Sequence, residues 1–140
     1  MGKRWLIGTL AALMMAVSLG SVFAQDDLEP QTTAGGIRWV SGGIGFDEIH
    51  ALKKAESEYN LRLLFAVQGS GAYLADIVVI VQDHQGQPVL EATARGPRLL
   101  AQMPPGTYTV TARSGGATET RRISVPRSGS ADQSFYFPTR

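Results

Sequence analysis

The chain contains no cysteine. That excludes disulfides, thiolate-held metal centres, a thiol nucleophile and a lipid anchored on cysteine, so the core must carry stability alone. Histidine is nearly as scarce. His50 and His84 are the two in 140 residues, and neither has the i, i+4 or short-range partners of a metal site. Asp83-His84-Gln85-Gly86 lacks the repeated carboxylates of a calcium loop. Ser70, in Gln68-Gly69-Ser70-Gly71-Ala72, stands one residue out of a nucleophile elbow. No catalytic residue, metal or cofactor is expected. No basic run exceeds Arg121-Arg122, which argues against nucleic acid as a partner.

Long apolar runs are also few, and the one present lies at the start. Met1-Gly2-Lys3-Arg4 is basic, Trp5 to Leu19 is an apolar stretch of 15 residues, and Val22-Phe23-Ala24 is a small-residue cleavage pattern. This is the form of a secretory signal peptide cut after Ala24. An uncleaved anchor is the alternative, and Gly8, Thr9, Ser18, Gly20 and Ser21 weaken it. The protein is therefore expected to be periplasmic or secreted, without membrane attachment after cleavage. Beyond Ala24 the chain has 11 basic and 12 acidic residues. Residues 25–91 carry four basic and ten acidic groups, and residues 92–140 seven and two. This split reads either as chance on a small surface or as a polar molecule with an anion-attracting end.

Residues 25–36 read as a flexible lead-in, acidic and interrupted by Pro30. Residues 37–60 hold a glycine-rich segment and a helix. In Ala34 to Gly45, the lysine and serine of a phosphate-binding loop are missing, and so is dinucleotide-loop spacing. The segment is expected to lie extended against the domain with Trp39 as its anchor, although an exported tryptophan can also stack on sugars. Asp47 to Tyr59 is the clear helix. Asp47 is placed to cap it, Ile49, Leu52 and Tyr59 share a stripe, and Asn60 suits a left-handed C′ position.

Residues 61–138 read as strands. Leu61 to Val67 and Tyr73 to Val81 are apolar on both faces, with Gln68 to Ala72 as the hairpin between them. Their second faces, including Leu64, Val78 and Ile80, need a cover, and the helix is expected to provide it. Pro88 to Ala94, Leu99 to Met103, Thr107 to Arg113, Thr118 to Val125 and Gln133 to Phe137 complete about seven strands. That spacing fits a mainly β fold, a Greek-key sandwich with one helix on the outer face of one sheet. Pro104-Pro105-Gly106 is expected to form a type II turn, with Gly106 at positive φ.

Met103-Pro104-Pro105-Gly106-Thr107-Tyr108-Thr109-Val110 resembles the signature of carboxypeptidase regulatory-like domains. Tyr73 to Val79, followed by Asp83-His84-Gln85-Gly86-Gln87-Pro88-Val89, resembles the same family's first long strand and hairpin. The resemblance spans roughly residues 61 to 138. It implies a transthyretin-like (prealbumin-like) sandwich that serves folding, adhesion or binding rather than catalysis. Within that fold the hydroxyisourate hydrolases end in a Tyr-Arg-Gly-Ser-like motif, whereas this chain ends Phe137-Pro138-Thr139-Arg140. Other branches form isopeptide bonds from a strand lysine, but Lys53 and Lys54 fall on the helix.

The expected function is thus a non-enzymatic, exported binding or protein-interaction module. Its partner would be another protein or a glycan of the cell envelope. Candidate surfaces are Trp39 with its glycine-rich surroundings, the loop from Asp83 to Gln87, and a basic group of Arg95, Arg98, Arg121 and Arg122. Two alternatives stay open. One is a small hydrolase with a cryptic His/Asp site, which His50 and His84 side by side would favour. The other is carbohydrate binding through Trp39 and Tyr73.

Overall fold

The computed structural model describes residues 28–139; the expected signal peptide, residues 1–24, lies outside them. Nine strands and one short α-helix follow one another along the described residues. They are β1 (Gln31–Thr32), β2 (Arg38–Gly42), α1 (Phe46–Ala55) with a 3-10 turn at Glu56–Glu58, β3 (Leu61–Val67) and β4 (Ile77–Gln82). Then come β5 (Pro88–Ala94), β6 (Arg98–Gln102), β7 (Gly106–Ser114), β8 (Ala117–Val125) and β9 (Ala131–Phe137). One sheet has the order β1-β2-β6-β3-β9 and the other β5-β4-β7-β8. The main core takes Leu61, Leu63, Phe65, Leu99 and Phe135 from the first sheet and Ile77, Val79, Val81, Leu90 and Val110 from the second. Period-two alternation sends these residues to one face of each strand, and the two apolar faces close on each other as a β-sandwich.

The glycine-rich segment belongs to this sandwich. Arg38 to Gly42 pairs with β6 from end to end, Arg38 opposite Gln102 and Gly42 opposite Arg98. A two-residue strand, β1, from the lead-in pairs with it in turn. These two additions raise the expected seven strands to nine. The glycines serve close approach here: a Cβ on Gly96 would run into the Gly42 backbone where β2 meets the β5–β6 corner.

The Gln68–Ala72 turn closes as a short hairpin, with Val67 N–H donating to Ala72 O at 2.8 Å and Leu74 N–H to Phe65 O at 3.1 Å, but β3 and β4 do not pair. β3 pairs with β6 and, in parallel, with β9, whereas β4 pairs with β5 and β7 in the other sheet. The connection between them therefore changes sheets, and a single bridge, Ala66 to Tyr73, marks its start. β4 begins at Ile77, after Asp76 turns the chain at φ 59°. The Pro-Pro-Gly segment likewise carries the chain from β6 in one sheet to β7 in the other. Gly106 takes the expected positive φ, at 157°, but not the value of about +80° that a type II turn needs. In the second sheet, Gly86 at φ 79° closes the β4–β5 hairpin and Gly115 at φ 59° closes β7–β8.

The helix does pack on the outer face of one sheet, but its cover is not the expected one. A second cluster joins Leu52 and Tyr59 to Val40 of β2 and Leu100 of β6. Val78, on the outer face of the other sheet, stays 41% exposed. Its row neighbours are Thr93 and Arg113, and those of Ile80 are Glu91 and Thr111. Polar side chains on either side lessen the need for a third layer, and single exposed apolar residues are ordinary. Ile49 is not part of the covered stripe and is 41% exposed.

The ends of the helix also differ from expectation. Its N-cap is Gly45, with no side-chain cap. Glu48 reaches back instead, accepting a hydrogen bond from Gly43 N–H at 2.7 Å, a relative of the capping box. The helix ends early at Ala55, and Tyr59 is already extended. Asn60 does not adopt the left-handed conformation: Asp76 is the described non-glycine residue with positive φ. Its side chain works across the fold. Asn60 Nδ2 donates to Met103 O and Met103 N–H donates to Asn60 Oδ1, both at 2.7 Å. Its backbone links Ala101 and Ala131. One residue thus ties the end of β6, the start of β3 and the start of β9 together.

Candidate functional site

A groove of about 940 Å³ lies along the side of the sandwich where β1 and β2 face β5. The β4–β5 hairpin and the Met103–Gly106 connection close its end. Each wall follows from local sequence. Thr33 holds the β1–β2 turn: its backbone pairs with Ile37, and its hydroxyl accepts the Ile37 N–H at 3.1 Å. That sets the register in which Trp39 stands opposite Ala101, on the inward face of the first sheet. Trp39 packs on the main core yet stays partly exposed, so it presents a surface to the groove. Met103, 1% exposed, is fixed by Asn60 at the groove floor.

Polar groups enter from the hairpin and from β7. Asp83 Oδ1 accepts the backbone N–H groups of Gln85 at 2.9 Å and Gln87 at 3.0 Å, which shapes the hairpin. This is an Asx-type turn. Tyr108 is 7% exposed, and its hydroxyl donates to the Pro104 carbonyl oxygen, bracing the proline segment against β7. Burial pushes the Tyr108 hydroxyl's pKa above its ordinary 10.0, and the Asp83 carboxylate adds to the rise. Glu91 stands at the rim on edge strand β5. Among the described residues no lysine or arginine lines the groove.

Two of the three surfaces proposed from sequence meet here: Trp39 with its segment, and Asp83 with His84 of the hairpin loop. Tyr73 does not join them. It bridges to Ala66 on the outward face of β3, the face opposite Trp39. Tyr136 of β9 flanks Ala66 on its other side, and the two tyrosines are 64% and 50% exposed. A Trp39–Tyr73 sugar platform is therefore not formed; Tyr73 has Tyr136 as its neighbour across Ala66. The four arginines do not form one group either. Arg95 and Arg98 flank the Gly96-Pro97 corner, where Arg95 N–H donates to Ser41 Oγ at 3.1 Å. Arg121 and Arg122 are consecutive on β8 and point to opposite faces. Arg121 pairs with Glu119 at 3.3 Å.

His50 lies on α1 and stacks on Phe46, with ring centroids 6.3 Å apart, whereas His84 lies at the groove. Among the described residues no group of three histidine, aspartate or glutamate side chains is placed to hold a metal ion. Nor is any helix among them long and apolar enough to cross a membrane. Sequence reasoning missed Met103 and Tyr108 as groove residues. Both sit in the Met103–Val110 motif, so the signal was present, but their convergence with Trp39 depends on a crossing between sheets. The chain matches no known protein-family model and no curated protein.

Proposed function

We propose that this chain is an exported, non-enzymatic binding module whose ligand site is the groove between the β1–β2 and β5 edges. The observation that carries the reading is the groove itself. Trp39 of β2, Met103 of the β6–β7 connection and Tyr108 of β7 converge there with polar side chains of β1 and of the Asp83–His84 hairpin, and a concave site that joins aromatic surface to convergent polar groups is the usual form of a ligand site. Its volume, about 940 Å³, suits a ligand of several linked residues. The separation of His50 on α1 from His84 on the hairpin speaks against a paired-histidine hydrolase. The finer fold assignment, a transthyretin-like sandwich of the carboxypeptidase regulatory-like type, rests on the Met103–Val110 and Asp83–Val89 motifs. The exported location rests on the pattern in residues 1–24.

The experiment is a selection of displayed random peptides on the protein from Gln25 onward, followed by rescreening on two variants. Trp39→Ala should lose most selected binders, and Tyr73→Ala should keep them. Binders that ignore Trp39→Ala but require Tyr73 would move the site to the outer face of the first sheet and sink the reading.

A further inference from the structure

Resting on the groove as the binding site, we infer that its ligand is an extended segment of another protein bearing lysine or arginine side chains. Three independent features point to that chemistry.

The first is charge. Asp83 stands in the wall and Glu91 at the rim, with no lysine or arginine in the lining among the described residues. Arg38, the basic residue of β2, is turned to the other face of its sheet, where its guanidinium lies 5.7 Å from the Tyr59 ring centroid. In the second sheet Arg113, Arg121 and Arg122 lie on β7 and β8, away from the β5 edge. Arg95 and Arg98 stand at the Gly96-Pro97 corner, the end of β5 away from the hairpin, so the field at the Asp83 end of the groove favours a cation.

The second is aromatic surface. Trp39 and Tyr108 both line the groove. Ring faces attract ammonium and guanidinium groups, and tryptophan does so best.

The third is the main chain. β1 and β5 are the terminal strands of their sheets on this side, so each has a ladder partner on one edge only. A polypeptide laid between them can hydrogen-bond to those free edges and place alternate side chains inward. A free amine or a sugar cannot make that ladder, which is why a peptide is the occupant. Asp83 can serve both fold and ligand, since its turn uses Oδ1 alone.

The test is calorimetric titration of three synthetic peptides that differ at one repeated position. They are an alternating lysine–threonine peptide, its glutamine analogue and its glutamate analogue. The lysine peptide should bind, the glutamine analogue should bind about tenfold more weakly, and the glutamate analogue should not bind. Raising the salt should weaken the lysine peptide alone. Asp83→Asn keeps the Oδ1 acceptor of the turn, and Glu91→Gln touches no hydrogen bond of the fold. Each should weaken the lysine peptide several-fold, and leave the glutamine analogue unchanged.

Equal binding of the lysine and glutamine peptides, both lost in Trp39→Ala, would overturn the charge inference and leave the groove standing. Binding unaffected by Trp39→Ala would overturn the groove reading itself. Lysine amide binding as tightly as the peptide would overturn the main-chain part. Failure of the lysine peptide to bind would overturn the inference.

Discussion

Asn60→Ala is the sharpest perturbation of the fold beneath the groove. The side-chain amide exchanges two hydrogen bonds of 2.7 Å with the backbone of Met103, 43 residues away in sequence. Met103 is 1% exposed, so its N–H and C=O have little access to water once the amide is gone. A buried group left unpaired costs about 1–3 kcal/mol, well above the net worth of the bond it lost. Two such groups give about 2–6 kcal/mol. Asn60 itself is partly exposed, and water entering through the vacated space should bring the loss toward the lower half of that range. Urea unfolding of the protein from Gln25 onward measures it. Asn60→Asp is the useful companion: it keeps an acceptor for the Met103 N–H but sets an oxygen against the Met103 carbonyl. Both variants should be destabilised. A loss below about 0.5 kcal/mol for Asn60→Ala, the range of an unremarkable surface change, would refute the argument that this residue ties β6 to β3.

Other consequences are open to the same assays. Leu52, 3% exposed under α1, covers Val40 and Leu100; Leu52→Ala should cost about 2–5 kcal/mol in urea unfolding, as for other buried leucines. A methyl on Gly96 would collide with the Gly42 backbone, so Gly96→Ala should cost about 1–3 kcal/mol, whereas Gly116→Ala, which meets open space, should be near neutral. Tyr108 carries a pH dependence. Its pKa is raised in the fold, so the folded state holds the proton more tightly. The stabilisation is full below the unfolded-state value near 10.0 and is lost as pH rises through the higher folded-state value. Thermal melts should therefore fall on passing above pH 10, and more steeply in the wild type than in Tyr108→Phe.

The strands themselves were legible because alternation is a local property. Ile77, Val79 and Val81 take one face and Val78 and Ile80 the other, whatever the strand pairs with. Partners were not legible in the same way. Gln68 to Ala72 contains glycines and reads as a hairpin connection, but the chain from Tyr73 to Asp76 goes on across to the second sheet. Nothing within those residues distinguishes the two. β2 is legible in part: Arg38-Trp39-Val40-Ser41 among its glycines reads as an extended segment against the domain, and only pairing with β6 makes it a strand. The helix stripe is readable in the sequence but its target is not, because Val40 of β2 supplies part of the surface it covers. The groove shows the same division. Trp39 and the Asp83 loop stand out as separate features of the sequence. Their meeting with Tyr108 and Met103 is a product of the two crossings between sheets.

The central claim is that ligand binds at the Trp39–Tyr108 groove, and amide and methyl chemical-shift mapping tests it most directly. The lysine–threonine peptide is added to isotope-labelled protein beginning at Gln25, and perturbed signals are placed on the fold. The account predicts the largest shifts at the Trp39 indole N–H, the Met103 methyl and the backbone amides of Glu91 and Thr32. Shifts centred on Tyr73, Leu64 and Tyr136 would contradict it and put the binding surface on the outward face of the first sheet.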